Sequence, residues 1–168
     1  MVAKPCASSL ILWPRDFAQS DEFLFAPRYD AAPTQSLPVI LDEDPHHIAM
    51  LRWGLIPSWA KSPDVGYKMI NARAETLAEK PSFRSAFKSR RCLVLADGFY
   101  EWPKTGAEKT PLRITLASGL PFAFAGLWDC WQSPADESVR TFTIITTTPN
   151  ELMSRFHHRM PVILRPED

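Results

Sequence analysis

The apolar positions of this chain fall into short blocks, each rich in β-branched or aromatic side chains and bounded by turn-forming residues. Blocks at 37–41, 47–51, 91–95, 112–116, 122–128, 141–147 and 161–164 read as strands of ordinary length. Helical periodicity is scarcer. It is seen at 75–78, at 81–89 with Phe83, Ala86 and Phe87 on one face, and at 149–156 with Thr148 as N-cap. Turn signals at 42–45, 104–109, 117–120 and 133–138 separate strand blocks at hairpin spacing. The pattern predicts an α+β fold dominated by antiparallel strands. Sixteen prolines against six glycines keep the elements short, because proline interrupts helices and central strands. There is no internal repeat, low-complexity tract or long linker, so 1–168 reads as one domain.

Composition and charge narrow the function classes. Of 168 residues, 45% are hydrophobic, enough for a core. Nineteen Lys plus Arg balance nineteen Asp plus Glu, so a polyanion would have to be held by a local patch rather than by the whole-molecule field. No apolar run approaches the roughly 20 residues of a membrane span. The stretch at 9–13 is too short for a signal-peptide core, so a cytoplasmic protein with no membrane partner is expected. Cys6, Cys92 and Cys130 form no CxxC pair, and their odd number argues against a disulfide framework. His46-His47 and His157-His158 are adjacent pairs without the spacing of a helical metal site. Neither a metal nor another cofactor is expected.

Four segments place polar residues inside apolar strings: 52–60, 70–75, 97–102 and 157–164. Glu101 lies between Tyr100 and Trp102 after a buried-looking strand. A carboxylate desolvated by rings holds its proton more tightly, which suits acid catalysis; a strand-end Glu paired with an Arg is the alternative. His157 precedes an apolar strand, either as a general base or as a hydrogen-bonded histidine at the core edge. Asn71 either orients a substrate oxygen or closes a turn.

Trp53 and Trp59 flank a proline-bearing loop suited to stacking on unpaired bases, although tryptophan is commonly a core residue. From Lys80 to Arg91 come Lys80, Arg84, Lys88, Arg90 and Arg91 with no acidic residue, while Arg52, Arg73 and Arg159 flank the other polar segments. Cations interleaved with aromatics fit a single-strand groove, the charges tracking phosphates and the rings stacking bases.

From Pro27-Arg28-Tyr29-Asp30-Ala31-Ala32-Pro33-Thr34-Gln35 to Arg159-Met160-Pro161-Val162-Ile163-Leu164, with these four segments in order between, the chain closely resembles the SRAP (SOS response-associated peptidase) family. The resemblance implies a twisted, barrel-like, mostly antiparallel sheet with a few short helices. It also implies recognition of abasic sites in single-stranded DNA and covalent crosslinking to them within a DNA damage response. An N-terminal cysteine supplies an α-amine, with a pKa of about 8, for a Schiff base and a thiol that closes a thiazolidine. On the family pattern Asn71 orients the N-terminus and sugar, Glu101 shuttles a proton in imine formation, and His157 helps open the sugar ring. Arg73 and Arg159 hold phosphates on that pattern, with Trp53 and Trp59 shaping the stacking surface, and Arg52 and Arg84 join them as DNA contacts on the basic pattern alone. The partner implied is abasic single-stranded DNA, met by a monomer.

The chain departs from the family at its ends. The family begins Met-Cys-Gly-Arg-Phe, whereas here Cys6 follows Met1-Val2-Ala3-Lys4-Pro5, and its nitrogen is acylated. Removal of the first five residues, an autoproteolysis of the kind the family name records, would free it. The alternative alignment through Phe17-Ala18-Gln19 puts Pro14-Arg15-Asp16 where Cys-Gly-Arg should stand. Asp30 replaces the usual Asn, and the chain stops at Pro166-Glu167-Asp168 where the family continues, so a truncated C-terminus is expected. The alternatives to crosslinking are a non-covalent single-strand-binding pseudoenzyme and a thiol peptidase.

Overall fold

The computed structural model describes residues 2–4, 30–102 and 110–165. Cys6, Pro14-Arg15-Asp16, the whole 104–109 turn and the final three residues lie outside them. Five strands close on themselves: β2 (Ser36–Leu41), β3 (Asp44–Trp53), β5 (Arg91–Ala96), β8 (Phe122–Gln132) and β9 (Ser138–Thr147). β2 pairs with β3 and β5, β5 with β8, β8 with β9, and β9 returns to β3, completing a barrel-like sheet. Among the barrel strands only β3 with β9 is parallel.

Shorter strands decorate this ring. β4 (Asn71–Arg73) lies parallel along β9, while β10 (Met160–Pro161) pairs with β9 and β11 (Ile163–Leu164) with β8. Between β10 and β11 the Val162 N–H donates to Ile145 O at 2.9 Å and its carbonyl accepts from Ala125 N–H at 2.9 Å, so 160–164 wedges between diverging β8 and β9. A second sheet, in the order β1 (Val2–Lys4), β6 (Gly98–Glu101), β7 (Leu112–Ile114), is joined to the barrel by Phe99, whose ring meets Phe124 edge-on at 5.8 Å.

Alternation explains the barrel core. Leu37, Val39 and Leu41 of β2 face inward with Leu51 and Trp53 of β3 and Val94 and Ala96 of β5. Phe124, Phe142 and Ile144 fill the centre. At Gly126 an added Cβ would meet Cys92 Sγ at 2.8 Å, so the close β5–β8 approach requires glycine.

Several expected elements differ in extent. β3 and β9 run longer than their apolar blocks through solvated outer parts, and β8 runs on through buried Asp129 and Trp131 to exposed Gln132. The 75–78 helix is a short 3-10 turn at Ala74–Thr76, and the 81–89 helix contracts to α1 (Arg84–Ser89). The last helix, α2 (Glu151–Ser154), is capped not by Thr148 but by Asn150, whose side chain accepts from Met153 N–H at 2.9 Å. Asn71 closes no turn; it opens a strand.

Candidate nucleic-acid and acid–base site

The end of β9 gathers four of the candidate residues, Asn71, Arg73, His157 and Arg159. In β4, Asn71 stands opposite Ile144 and Arg73 opposite Thr146. Their common face follows from strand alternation, Ala72 pointing the other way into a second apolar cluster. The strand is held from behind: the Trp53 indole N–H donates to Ile70 O at 2.8 Å, and Ile144 N–H donates to the same carbonyl at 3.2 Å. Trp53 is fully buried and stacked with Phe142 at 6.5 Å. Its assignment as a DNA-stacking surface is therefore corrected: no face is free for a base, and its work is to seat the strand that carries Asn71.

On the other flank of β9, α2 leads into His157, whose backbone N–H donates to Met153 O at 2.9 Å. His157 Nδ1 lies 3.0 Å from Arg159 O and 3.2 Å from Arg159 N. The His158 ring packs beside it at 4.4 Å. Arg159 is not a loose cation. Its guanidinium donates to both oxygens of Glu75, at 2.8 and 2.9 Å, and to Thr146 O at 2.6 Å. These hydrogen bonds from Arg159, with lesser help from Arg73, hold the Glu75 carboxyl down at about 2.

Glu101 sits apart from this group in sequence and sheet. It ends β6 opposite Leu112, shares a strand face with core residue Phe99, and is only 5% exposed. Glu101 Oε1 and Asn71 Oδ1 are both buried without a hydrogen-bond partner among the described residues. A buried acceptor left open is costly, roughly 1–3 kcal/mol, and a ligand or water that donated to it would recover that cost. Ile70 and Phe156, the chain neighbours of Asn71 and His157, and Phe99 of β6 all pack on the large apolar cluster of the barrel.

Trp59 is 62% exposed, on a loop tied down at each side. Ser58 N–H donates to Asp129 Oδ2 at 3.1 Å, Ile56 N–H to Thr141 Oγ1 at 2.8 Å, and the Trp131 indole to Ala60 O at 2.7 Å. Gly54, at φ +121°, lies so close to the following 3-10 helix (Pro63–Lys68) that a Cβ there would meet Gly66 O at 2.7 Å. That helix presents Tyr67, 60% exposed, with the Arg52 guanidinium over its ring at 5.8 Å. Arg73 and Arg84 are exposed.

Sequence reasoning missed Glu75, Tyr67 and Asp129. Asp129, a charge inside the apolar string of β8, met the same criterion that singled out the four segments. Burial pushes the Cys92 thiol up, which removes it as a nucleophile. Among the described residues no His, Cys, Asp or Glu cluster suits a metal ion, and no helix is long and apolar enough to cross a membrane. A cavity of about 380 Å³ lined by Leu41, Asp44, His47 and Arg140 lies at the β2–β3 turn and includes no candidate residue.

A closed, mostly antiparallel sheet with polar groups embedded at its rim defines the class. The SRAP family model (SOS response associated peptidase) matches residues 7–168, and the chain belongs to that family. It is 54% identical over 157 residues to the abasic site processing protein YoqW of Bacillus subtilis (strain 168), covering 88% of this chain and 69% of that protein. Against the abasic site processing protein HMCES of Xenopus tropicalis it is 36% identical over 183 residues, spanning 90% of this chain but 54% of the relative. A crystal structure of a protein from Bacteroides thetaiotaomicron matches with a TM-score of 0.75 at 37% identity, over 80% of this chain and 60% of that one.

Proposed function

We propose that this protein recognises abasic sites in single-stranded DNA and joins to them covalently. The observation that carries the reading is the pair of open, buried acceptors on Asn71 and Glu101 in a chain 54% identical to an abasic site processing protein. An opened abasic deoxyribose presents an aldehyde. A free α-amine adds to its carbon, water leaves, and an imine remains. A thiol on the same residue then adds to the imine carbon, its proton passing to nitrogen, and a thiazolidine closes. Asn71 orients the amine and sugar, and Glu101 gives and retrieves the proton that accompanies loss of water. His157 moves the proton between the sugar hydroxyl and the ring oxygen as the ring opens. Arg73, Arg84 and Arg52 meet phosphates, and Trp59 stacks on a base.

This chemistry is addition and proton transfer, so it needs no metal or other cofactor. We place it in the cytoplasm, carried out by a monomer whose residues 1–168 form one domain. The thiazolidine requires amine and thiol on one residue, and Pro5 acylates the nitrogen of Cys6. Hydrolysis of that peptide bond would supply both. The acylated nitrogen favours a second reading, non-covalent binding of the same strand.

Intact mass after mixing with an oligonucleotide bearing one abasic site, then denaturing, separates the two. An adduct from a chain shortened to Cys6, absent for Cys6→Ala, is expected for the covalent reading. Tight binding with no adduct leaves the non-covalent one. Absence of both binding and adduct would end the proposal.

A further inference from the structure

We infer that Glu75 is a positioning residue: by gripping Arg159 it fixes the peptide units facing His157 Nδ1 and thereby lets the imidazole exchange tautomers in place. The inference deepens the proposed function and, for its rate readout, rests on it.

The argument starts at one nitrogen. His157 Nδ1 faces the carbonyl of Arg159 at 3.0 Å and the amide of the same residue at 3.2 Å. With a proton, Nδ1 donates to the carbonyl; without one, it accepts from the amide. Either tautomer is satisfied by the same neighbour, so Nε2 can carry a proton or lack one with no ring rotation. A group that must both deliver and remove a proton at a sugar gains from this, because neither state pays for reorganisation.

The device works only if the Arg159 backbone stays still, and regular structure does not secure it. Residues 155–159 lie between α2 and β10, and the latter begins only at Met160. What secures it is the Arg159 side chain, which spans to a different part of the fold: two bonds to Glu75 and one to Thr146 O in the middle of the β4–β9–β10 pairing. An exposed ion pair is usually worth little, but this one is bidentate, and its Arg159 side chain is 16% exposed against 46% for Glu75. Planar fork and carboxylate together define an orientation that a single point charge would not.

Two variants of the full chain test this. Glu75→Gln keeps the shape and removes the charge; Arg159→Lys keeps the charge and removes the fork. The first readout, ¹⁵N NMR of the His157 imidazole without DNA, is independent of the proposed function. In the wild type the two ring nitrogens should show averaged shifts from both tautomers, and in both variants one tautomer should dominate. The second readout is the rate of adduct formation at saturating abasic DNA. It should fall on the order of 10-fold in Glu75→Gln with no loss of affinity, short of the roughly 10²–10⁴-fold that loss of a general acid or base itself costs. Unchanged imidazole signals in both variants, or a defect wholly in affinity, would overturn the inference. If the wild type forms no adduct, the covalent reading falls, and the imidazole signals still decide the role of Glu75.

Discussion

Trp53 and Trp59 flank one loop yet differ in every physical respect that matters. Trp53 has no exposed surface and donates its indole proton to Ile70 O; Trp59 is mostly in water. Truncating Trp53 to Ala should cost about 3–5 kcal/mol of stability, read as a lower denaturation midpoint. Trp59→Ala should leave that midpoint nearly unmoved and weaken single-strand binding by about 1–3 kcal/mol, read by fluorescence anisotropy of a labelled oligonucleotide. A sequence cannot tell the two apart, since both stand next to turn residues and only the closure of the barrel buries one of them. Glu75 is the converse case. Its significance lies in a partner far along the chain, and no local spacing announces it. Because its folded pKa of about 2 lies below the ordinary 4.5, the stability it contributes is complete above about pH 4.5 and is lost as pH falls toward 2. Wild-type protein should therefore lose stability more steeply than Glu75→Gln across that window in acid denaturation, with Arg159 and Arg73 the charges responsible.

Elements were legible where apolar content and turn chemistry coincided. The blocks at 37–41 and 91–95 became β2 and β5 with little change. β4 was illegible because three residues that alternate polar, small and charged carry no period; the strand exists through its parallel pairing to β9 and the Trp53 tether. β6 was obscured by Gly98 at its start and Glu101 at its end, although the run of polar groups there did mark the segment for chemistry. The loop that presents Trp59 depends on Asp129, a buried carboxylate accepting from Ser58 and Cys130 amides and paired with Arg90 at 3.3 Å. Replacing Asp129 with Ala leaves two amides and a guanidinium without their acceptor. The expected loss is about 1–3 kcal/mol in a chemical denaturation curve, with a Trp59 emission shift as the loop loosens.

At the scale of the molecule, a formal net charge of zero means that long-range attraction to DNA is weak and affinity must come from local contacts. The salt dependence of binding then counts the phosphates met by cations that were free beforehand. Sequence alone puts Arg73 and Arg159 in the same class; the fold separates them. Arg73 is exposed on the face it shares with Asn71. Arg159 is already neutralised by Glu75, so a phosphate that displaced that carboxylate would leave Glu75 to gather cations of its own, and the net number of counterions released would be near zero. Arg73→Ala should accordingly reduce the slope of log affinity against log salt by about one unit, while Arg159→Ala should leave it nearly unchanged. Equal reductions in the two variants would mean that Arg159 is not held by Glu75 in the free protein and meets phosphate as an ordinary cation.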